Sequence, residues 1–322
     1  MKKLFVYVLF LGFSSCVTKP VPLVPEPVVQ GLPEIPSSLK RTVKDVDLRK
    51  GQDDHAPRKR IVVLPFLDRN PDRSPEILNR ARLEFMNQLN RSQDIIALDY
   101  TELKLNLAQF MKNGDYDLAA MAQASQSVGA SSLLEAKVID VRFKNRTDID
   151  SGLSAKKAAF EIVVKARLIN IRSGQELFNS VKTVNIEEEN TKLPDNIPSD
   201  VFFAKNPELV ELLVKDAFLD FSTKLVEAMD QVIWEGRIAA LDGERIFLNV
   251  GKISGVQLGD ILKVVEDGNE VYDPEIGYHI GKVSGKLKGT LEVVGYFGQD
   301  GAVSVIHSGA GFKENDRIEL YE

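Results

Sequence analysis

The residues in this chain able to do covalent, metal or proton-transfer chemistry are few and scattered. There is one cysteine, Cys16, so no intrachain disulfide can form. The histidines, His55, His279 and His307, lie far apart, with no HExxH helix and no Cys-His cluster to gather zinc ligands. Each reads as a surface or turn histidine. Gly281-Lys282-Val283-Ser284-Gly285-Lys286-Leu287 is one residue short of a phosphate-binding loop and lacks the hydroxyl residue after the lysine, so it reads as a hairpin. Asp267-Gly268-Asn269 lacks the alternating ligands and closing glutamate of a calcium loop and reads as a turn. No Gly-x-Ser-x-Gly elbow occurs. Glu187-Glu188-Glu189 reads as an exposed acidic loop. The expectation is a protein that is not an enzyme, with no catalytic residues, cofactor, metal site or small-molecule substrate.

Cys16 draws its chemistry from what precedes it. Lys2 and Lys3 lead into an apolar run from Leu4 to Phe13, and Ser14 and Ser15 bring the chain to the thiol. That is the order of a bacterial secretory signal. At 1.5 Å per residue the run is roughly half of what a hydrocarbon core of about 30 Å requires, so it is expected to be cleaved. Ser14-Ser15-Cys16 resembles the lipobox of bacterial lipoproteins, with Phe13 standing where leucine is usual. The resemblance implies lipid attachment at Cys16, palmitate-type acylation included. Val17 is not the aspartate that typically retains such proteins at the inner membrane, which implies a periplasm-facing outer-membrane anchor. Several acyl chains at about 0.8 kcal/mol per buried methylene would make that anchoring permanent.

Residues 17–58 follow as a tether. Pro20, Pro22, Pro25, Pro27, Pro33 and Pro36 punctuate a stretch with little periodicity, which cannot bury a core. Extended toward polyproline II at about 3.1 Å per residue, such a tether reaches on the order of 100 Å. Arg58, Lys59 and Arg60 read as a solvated basic flank. With 47 acidic against 41 basic residues the formal net charge is -6, which disfavours nucleic acid as a partner.

The remaining length suits two domains. In 59–233, Ile61 to Phe66 reads as a buried strand and Asp68 to Asp72 as a turn. Ile77, Leu78, Ala81, Phe85 and Leu89 recur at helical spacing behind a Ser74 cap and Pro75. Ile95 to Leu98 is a short strand; helical patterns follow around Leu103, Leu107 and Phe110, and again around Leu118, Met121 and Ala122, the latter capped by Asp117 and ended by Gly129. Ser132 to Val141 and Ala158 to Ile171 read as strands, and Arg172-Ser173-Gly174-Gln175 turns into a third from Glu176 to Ile186. One long helix from Pro207 to Val232 closes the domain.

Ile61 to Phe66, Gly129 to Val138 and Ala166 to Leu177, in that order, resemble the best-marked segments of CsgG-type curli-secretion domains. They are equally similar to the TolB N-terminal domain and to lipoprotein activators of penicillin-binding proteins. The likeness spans about residues 58 to 232, with Asn170 in place of a common aspartate, and implies a periplasmic assembly module. It does not extend to a pore. A spanning hairpin needs strands of about 9 to 11 residues with a lipid-facing apolar alternation. Phe143 to Lys157 reads as a short insertion carrying Lys144, Arg146, Asp148, Asp150, Lys156 and Lys157, and Ile186 to Asn206 as another, with Glu187 to Glu189 and two prolines. No channel is expected.

In 236–322 the texture changes, for most of the chain's 22 glycines lie there. Ile246 to Val250, Ile261 to Val265, Leu291 to Val294, Ala302 to Ile306 and Arg317 to Tyr321 read as short strands of a barrel of five or six. Asp242-Gly243, Leu248 to Gly251, Gly255-Val256, Gly259-Asp260 and Asp273 to Gly281 resemble the C-terminal domain of flagellar assembly protein T, whose family pairs a TolB-like domain with this barrel. The fold class is therefore read as α+β: a layered α/β domain with a mixed sheet, then a small all-β SH3-like barrel. Two roles follow from the resemblances. One is a structural or assembly component of a flagellar motor ring or secretion apparatus, with periplasmic protein partners and self-assembly into a ring. The other is an activator of a peptidoglycan synthase; the second domain favours the first role.

Overall fold

Ile61, Val62, Val63 and Leu64 are all fully buried, the mark of a strand covered on both faces. The computed structural model describes residues 57–150, 153–188, 198–266, 268, 270–277, 279–283 and 285–321, and all of them fall in one compact unit, Ser38–Glu322. Cys16, Pro20, Pro22, Pro25, Pro27, Pro33, Pro36 and His55 lie outside the described residues.

The elements, in chain order, begin with β1 (Lys59–Val63), β2 (Leu67–Asp68), α1 (Pro75–Arg91) and β3 (Ile95–Asp99). A two-strand flap, β4 (Met111–Lys112) with β5 (Asp115–Tyr116), precedes α2 (Leu118–Ala124). Then come β6 (Ser132–Asp150), β7 (Leu153–Asn170), β8 (Glu176–Glu188), α3 (Ser199–Lys205), α4 (Pro207–Leu219) and α5 (Ser222–Asp230). The sheet order is β3-β1-β6-β7-β8, with β2 alongside β6. β1 pairs in parallel with β3 and β6, whereas β6, β7 and β8 form an antiparallel meander, so the sheet is mixed. On one face α1, α4 and α5 bury Phe85, Leu89, Leu213, Phe218 and Phe221 against Ile61, Leu134 and Val164. On the other, α2 and the flap cover Val62, Leu64 and Leu133 and reach Ile169 at the end of β7. Beyond that cover the outer face of β7 and β8 carries Val163, Lys165, Val181 and Thr183, and Val181 is 57% exposed.

The second lobe is a closed six-stranded barrel, in the order β10-β15-β14-β11-β16-β9. Its strands are β9 (Gly236–Asp242), β10 (Arg245–Leu248), β11 (Ile261–Val265), β14 (Leu287–Phe297), β15 (Gly301–Gly309) and β16 (Arg317–Leu320); the hairpin of β12 (Glu270–Tyr272) and β13 (His279–Lys282) stands outside it. Trp234, Ile238, Leu248, Val264, Leu291 and Ile318 fill the interior. A layered α/β lobe with a mixed sheet and a small barrel is the fold class read from the sequence. Among the described residues no helix is long and apolar enough to cross a membrane, which says nothing of strands.

Several local readings need correction. Residues 143–150 and 153–157 are not a short insertion between strands. They continue β6 and β7, in register down to Asp150↔Leu153. Charge counted against a membrane span does not count against pairing, because the ladder is made by backbone groups whatever the side chains. At the root of this arm Phe143 and Phe160 pack under Phe202 while Arg142 and Lys144 pair with Glu161 on the opposite side. Glu187 and Glu188, read as a loop, are the last residues of β8, opposite Ala159 and Ala158, and 199–205 is helical. The closing helix is two helices. The Ser222 hydroxyl donates back to the Leu219 carbonyl (2.8 Å), a side-chain bond of the kind that bends helices. The pattern around Leu103 and Leu107 is two 3-10 turns capped by Asp99 and Asn106, separated at Lys104 by a left-handed φ of 53°.

Candidate functional site

The junction between the lobes is built from the basic run at the start of β1. Read as a solvated flank, it is the reverse. The Arg58 amide donates to the Ser254 carbonyl across the junction (3.0 Å), while its guanidinium donates to the carbonyls of Asn90 (2.9 Å) and Ile95 (2.7 Å). Burial lowers the Arg58 pKa despite the field of Asp300. Lys59 Nζ donates to the carbonyls of Met229 (2.7 Å) and Asp230 (3.2 Å) at the C-terminal end of α5, where backbone dipoles favour a cation. Arg60 crosses into the barrel, where its Nη2 meets Asp300 Oδ2 at 2.9 Å and Ser254 Oγ at 3.1 Å and also donates to the Asn249 carbonyl. The Arg60 and Asp300 side chains are only 9% and 17% exposed.

Asp300 receives more than the arginine. Its Oδ1 accepts the amides of Gly251 (2.9 Å) and Ser254 (3.1 Å). Burial alone would raise its pKa, but the hydrogen bonds from Ser254 and Arg60 outweigh that and hold it below the ordinary carboxylate value. A second crossing is made by Asn249, whose Oδ1 accepts the Arg237 amide (2.8 Å) and whose Nδ2 reaches the Val128 carbonyl (3.3 Å). Gly129 lies beside it with φ +73°, and a Cβ there would strike the Asn249 side chain, so this glycine serves close approach of the lobes as well as the end of a helix. On the barrel side the sequence trace of the joint is polar residues in glycine-rich turns, which look like any exposed turn.

A cavity of about 940 Å³ opens between the loop after β2 and the start of α4. Asp68 shapes that loop: Oδ1 accepts the Asn70 amide (2.8 Å) and Oδ2 binds Arg73 (2.9 Å). Burial pushes the Asp68 pKa up even so. The Ser74 hydroxyl then accepts the Glu76 amide (3.3 Å), as its place before Pro75 predicts. Ile77, Phe203 and Val210 line the cleft with apolar surface, and Arg69, Asp72, Asp140 and Asp200 add one basic and three acidic side chains. Arg73 is matched by Asp68, and Asp140 lies 3.4 Å from Arg142. An apolar trough with a mixed and partly self-paired rim fits a segment of polypeptide better than a charged metabolite.

The other residues singled out from the sequence do not converge. His307 is exposed on β15 and His279 opens β13. Gly281 and Lys282 close β13 and Leu287 opens β14, so that stretch connects two strands. Asp267, Asn269, Ser284 and Glu189 lie outside the described residues. Among the described residues no three His, Cys, Asp or Glu are grouped as metal ligands. The Asp273 to Gly281 motif forms the tip and second strand of the β12–β13 hairpin. Asp273 Oδ1 accepts the amides of Glu275 (2.8 Å) and Ile276 (3.1 Å), fixing a turn that leaves Ile276 78% exposed.

No protein-family model matches the chain, and no curated protein matches it. Solved structures do match, over about half of its length. The hypothetical protein CT253 of Chlamydia trachomatis is 13% identical, covering 53% of this chain and 97% of its own at a TM-score of 0.34. Lipoprotein GNA1162 of Neisseria meningitidis is 16% identical, covering 48% and 97% at 0.26. A minor lipoprotein of Acinetobacter baumannii is 7% identical, covering 54% and 95% at 0.24. Bacterial lipoproteins are thus among the similar structures, and TM-scores this low do not fix a function.

Proposed function

We propose that this chain is a non-enzymatic envelope lipoprotein, anchored through Cys16 to the outer membrane, whose two lobes act together as a structural component of a periplasmic assembly. The junction is the observation that carries this reading. Arg60, Asp300, Ser254 and Asn249 knit the α/β lobe to the barrel through largely buried, hydrogen-bonded contacts. A charge-assisted joint of that kind holds two surfaces at a fixed spacing, which suits a part that must bridge neighbours. Enzymes that close domains over substrate need the opposite, an interface that opens.

The resemblance to TolB-like domains and to the flagellar assembly barrel supports a motor ring or secretion apparatus as the setting. The activator reading, in which the tether carries the α/β lobe to a peptidoglycan synthase, leaves the barrel without a role. Photo-crosslinking residues placed at Val201 in the cleft and at Ile276 on the barrel hairpin, in living cells, test the proposal. Capture of periplasmic assembly proteins from both positions is expected. Capture of a peptidoglycan synthase from the cleft alone would favour the activator, and no protein adduct from either position would overturn both.

A further inference from the structure

A smaller cavity, of about 260 Å³, opens where the turn between β7 and β8 meets the segment that runs from α5 to the barrel. Asn170, Arg172 and Ser173 line it from the turn, Ser131 from just before β6, and Val232 and Glu235 from the connecting segment. Two of these residues hold hydrogen-bonding groups that the protein does not use. Ser131 is 2% exposed, and its hydroxyl has no hydrogen-bond partner among the described residues. A buried hydroxyl left unpaired is a cost to the fold, so its presence at a cavity wall asks for a ligand. The Arg172 side chain is 22% exposed, and its ion pair with Glu319 is 3.6 Å long, beyond hydrogen-bond reach. The backbone under that guanidinium is fixed nonetheless, because Asn170 Oδ1 accepts the amides of Arg172 (2.8 Å) and Ser173 (3.0 Å).

The charge around the cavity has a definite sign. Behind Arg172 lies Arg317, 2% exposed, which feels the fields of Arg172 and Arg237 and of Glu319 and Glu235. Three cations thus face two anions, and Glu235 already has a partner within the protein. Burial and then Arg172 lower the Arg317 pKa, and the two glutamates do not restore it. We propose that this cavity binds the terminal carboxylate of a peptide, held by the Arg172 guanidinium and the Ser131 hydroxyl, with the last residue against Val232. Charge selects a carboxylate over a phosphate. One negative charge balances the cluster, whereas a phosphate at about -1.5 to -2 near neutral pH would overshoot it beside Glu235. An arginine also meets the two oxygens of a carboxylate with two parallel N–H donors. Size selects a chain end over a loop, since the cavity is below the roughly 300 to 1,000 Å³ of pockets that enclose drug-sized ligands. A free amino acid carries the same group, and the experiment separates the two sources. The site does not depend on the assembly reading.

Trp234, the chain's only tryptophan, is buried and stands between the lining residues Ile233 and Glu235, so its fluorescence reports occupancy. Purified mature protein is titrated with trialanine, trialanine amide, alanine and inorganic phosphate, and binding is followed by Trp234 emission and by calorimetry. Trialanine is expected to bind saturably with a Kd of about 1 mM or below, and the amide, which lacks the charge, at least about tenfold more weakly. Arg172→Gln should weaken trialanine binding about ten- to a hundredfold, the range for hydrogen bonds to a charged group, with the circular dichroism spectrum unchanged. Ser131→Ala should weaken it about two- to tenfold while leaving the protein at least as stable, because it removes an unpaired hydroxyl. A serine with a structural role alone would change stability and leave affinity untouched. No saturable binding of trialanine, equal binding of its amide or of phosphate, or unaltered affinity in Arg172→Gln would overturn the inference. Alanine binding as tightly as trialanine would overturn the peptide as the source of the carboxylate.

Discussion

The Arg60–Asp300–Ser254 cluster at the junction and the Arg142–Glu161–Lys144 cluster at the root of the β6–β7 arm are made of the same kinds of group, and their surroundings differ. At the junction the arginine side chain is 9% exposed and every acceptor is fixed by a strand or a barrel turn. On the arm the Arg142 and Lys144 side chains are 44% and 57% exposed and both pair with Glu161, whose own side chain is 11% exposed. Removing one partner of the first leaves a desolvated charge, whereas removing one of the second lets solvent replace it. The comparison teaches that ion pairs in this chain must be weighed by burial, and that of these two clusters the junction is the one whose cation is desolvated.

The largest effect is expected from Arg60→Ala. It should destabilise the protein by about 3 to 5 kcal/mol, the usual cost of orphaning a buried ion-pair partner. Calorimetry should resolve separate melting of the barrel and the α/β lobe where the parent melts in one transition. A single transition at the parent's temperature would mean that the junction carries little.

Asp300→Asn comes next, at about 1.5 to 3 kcal/mol near neutral pH, the range for hydrogen bonds to a charged group. Its pH dependence sharpens the comparison. Because the folded Asp300 pKa lies below its ordinary value, its contribution is present above the unfolded value near 4 and is lost as pH falls through the folded value. Denaturant titrations from pH 6 down to pH 2 should therefore converge for the parent and Asp300→Asn at the acid end.

Glu161→Gln should do least. Its unfolding midpoint is expected to move by a small fraction of the Arg60→Ala shift, and high salt should erase the difference. A shift comparable to that of Arg60→Ala would place the arm, and not the junction, at the centre of the fold's electrostatics.

How far the sequence discloses this molecule depends on the range of each contact. Period-three and period-four spacing exposes α1, and Ser74 and Asp117 mark their helix starts, because caps and amphipathic faces are local. The glycine-rich turns and short apolar runs are enough to announce a barrel. Arg60 is opaque for the opposite reason: its partner Asp300 is 240 residues away, and nothing near either residue distinguishes a buried guanidinium from a solvated one. The β6–β7 arm is hidden because its charged stretch reads as a short insertion, and nothing local announces the pairing register that carries both strands on to Asp150↔Leu153. The division of the last helix falls at Asp220 and Phe221, where the apolar spacing runs on without a break.

The central claim is that the body is carried on lipid at Cys16, and intact-mass measurement of the mature protein from native membranes tests it most directly. The account predicts a chain beginning at Cys16 with a mass increment matching a diacylglyceryl group and one further acyl chain. A chain of unmodified mass, or one beginning elsewhere, would contradict it.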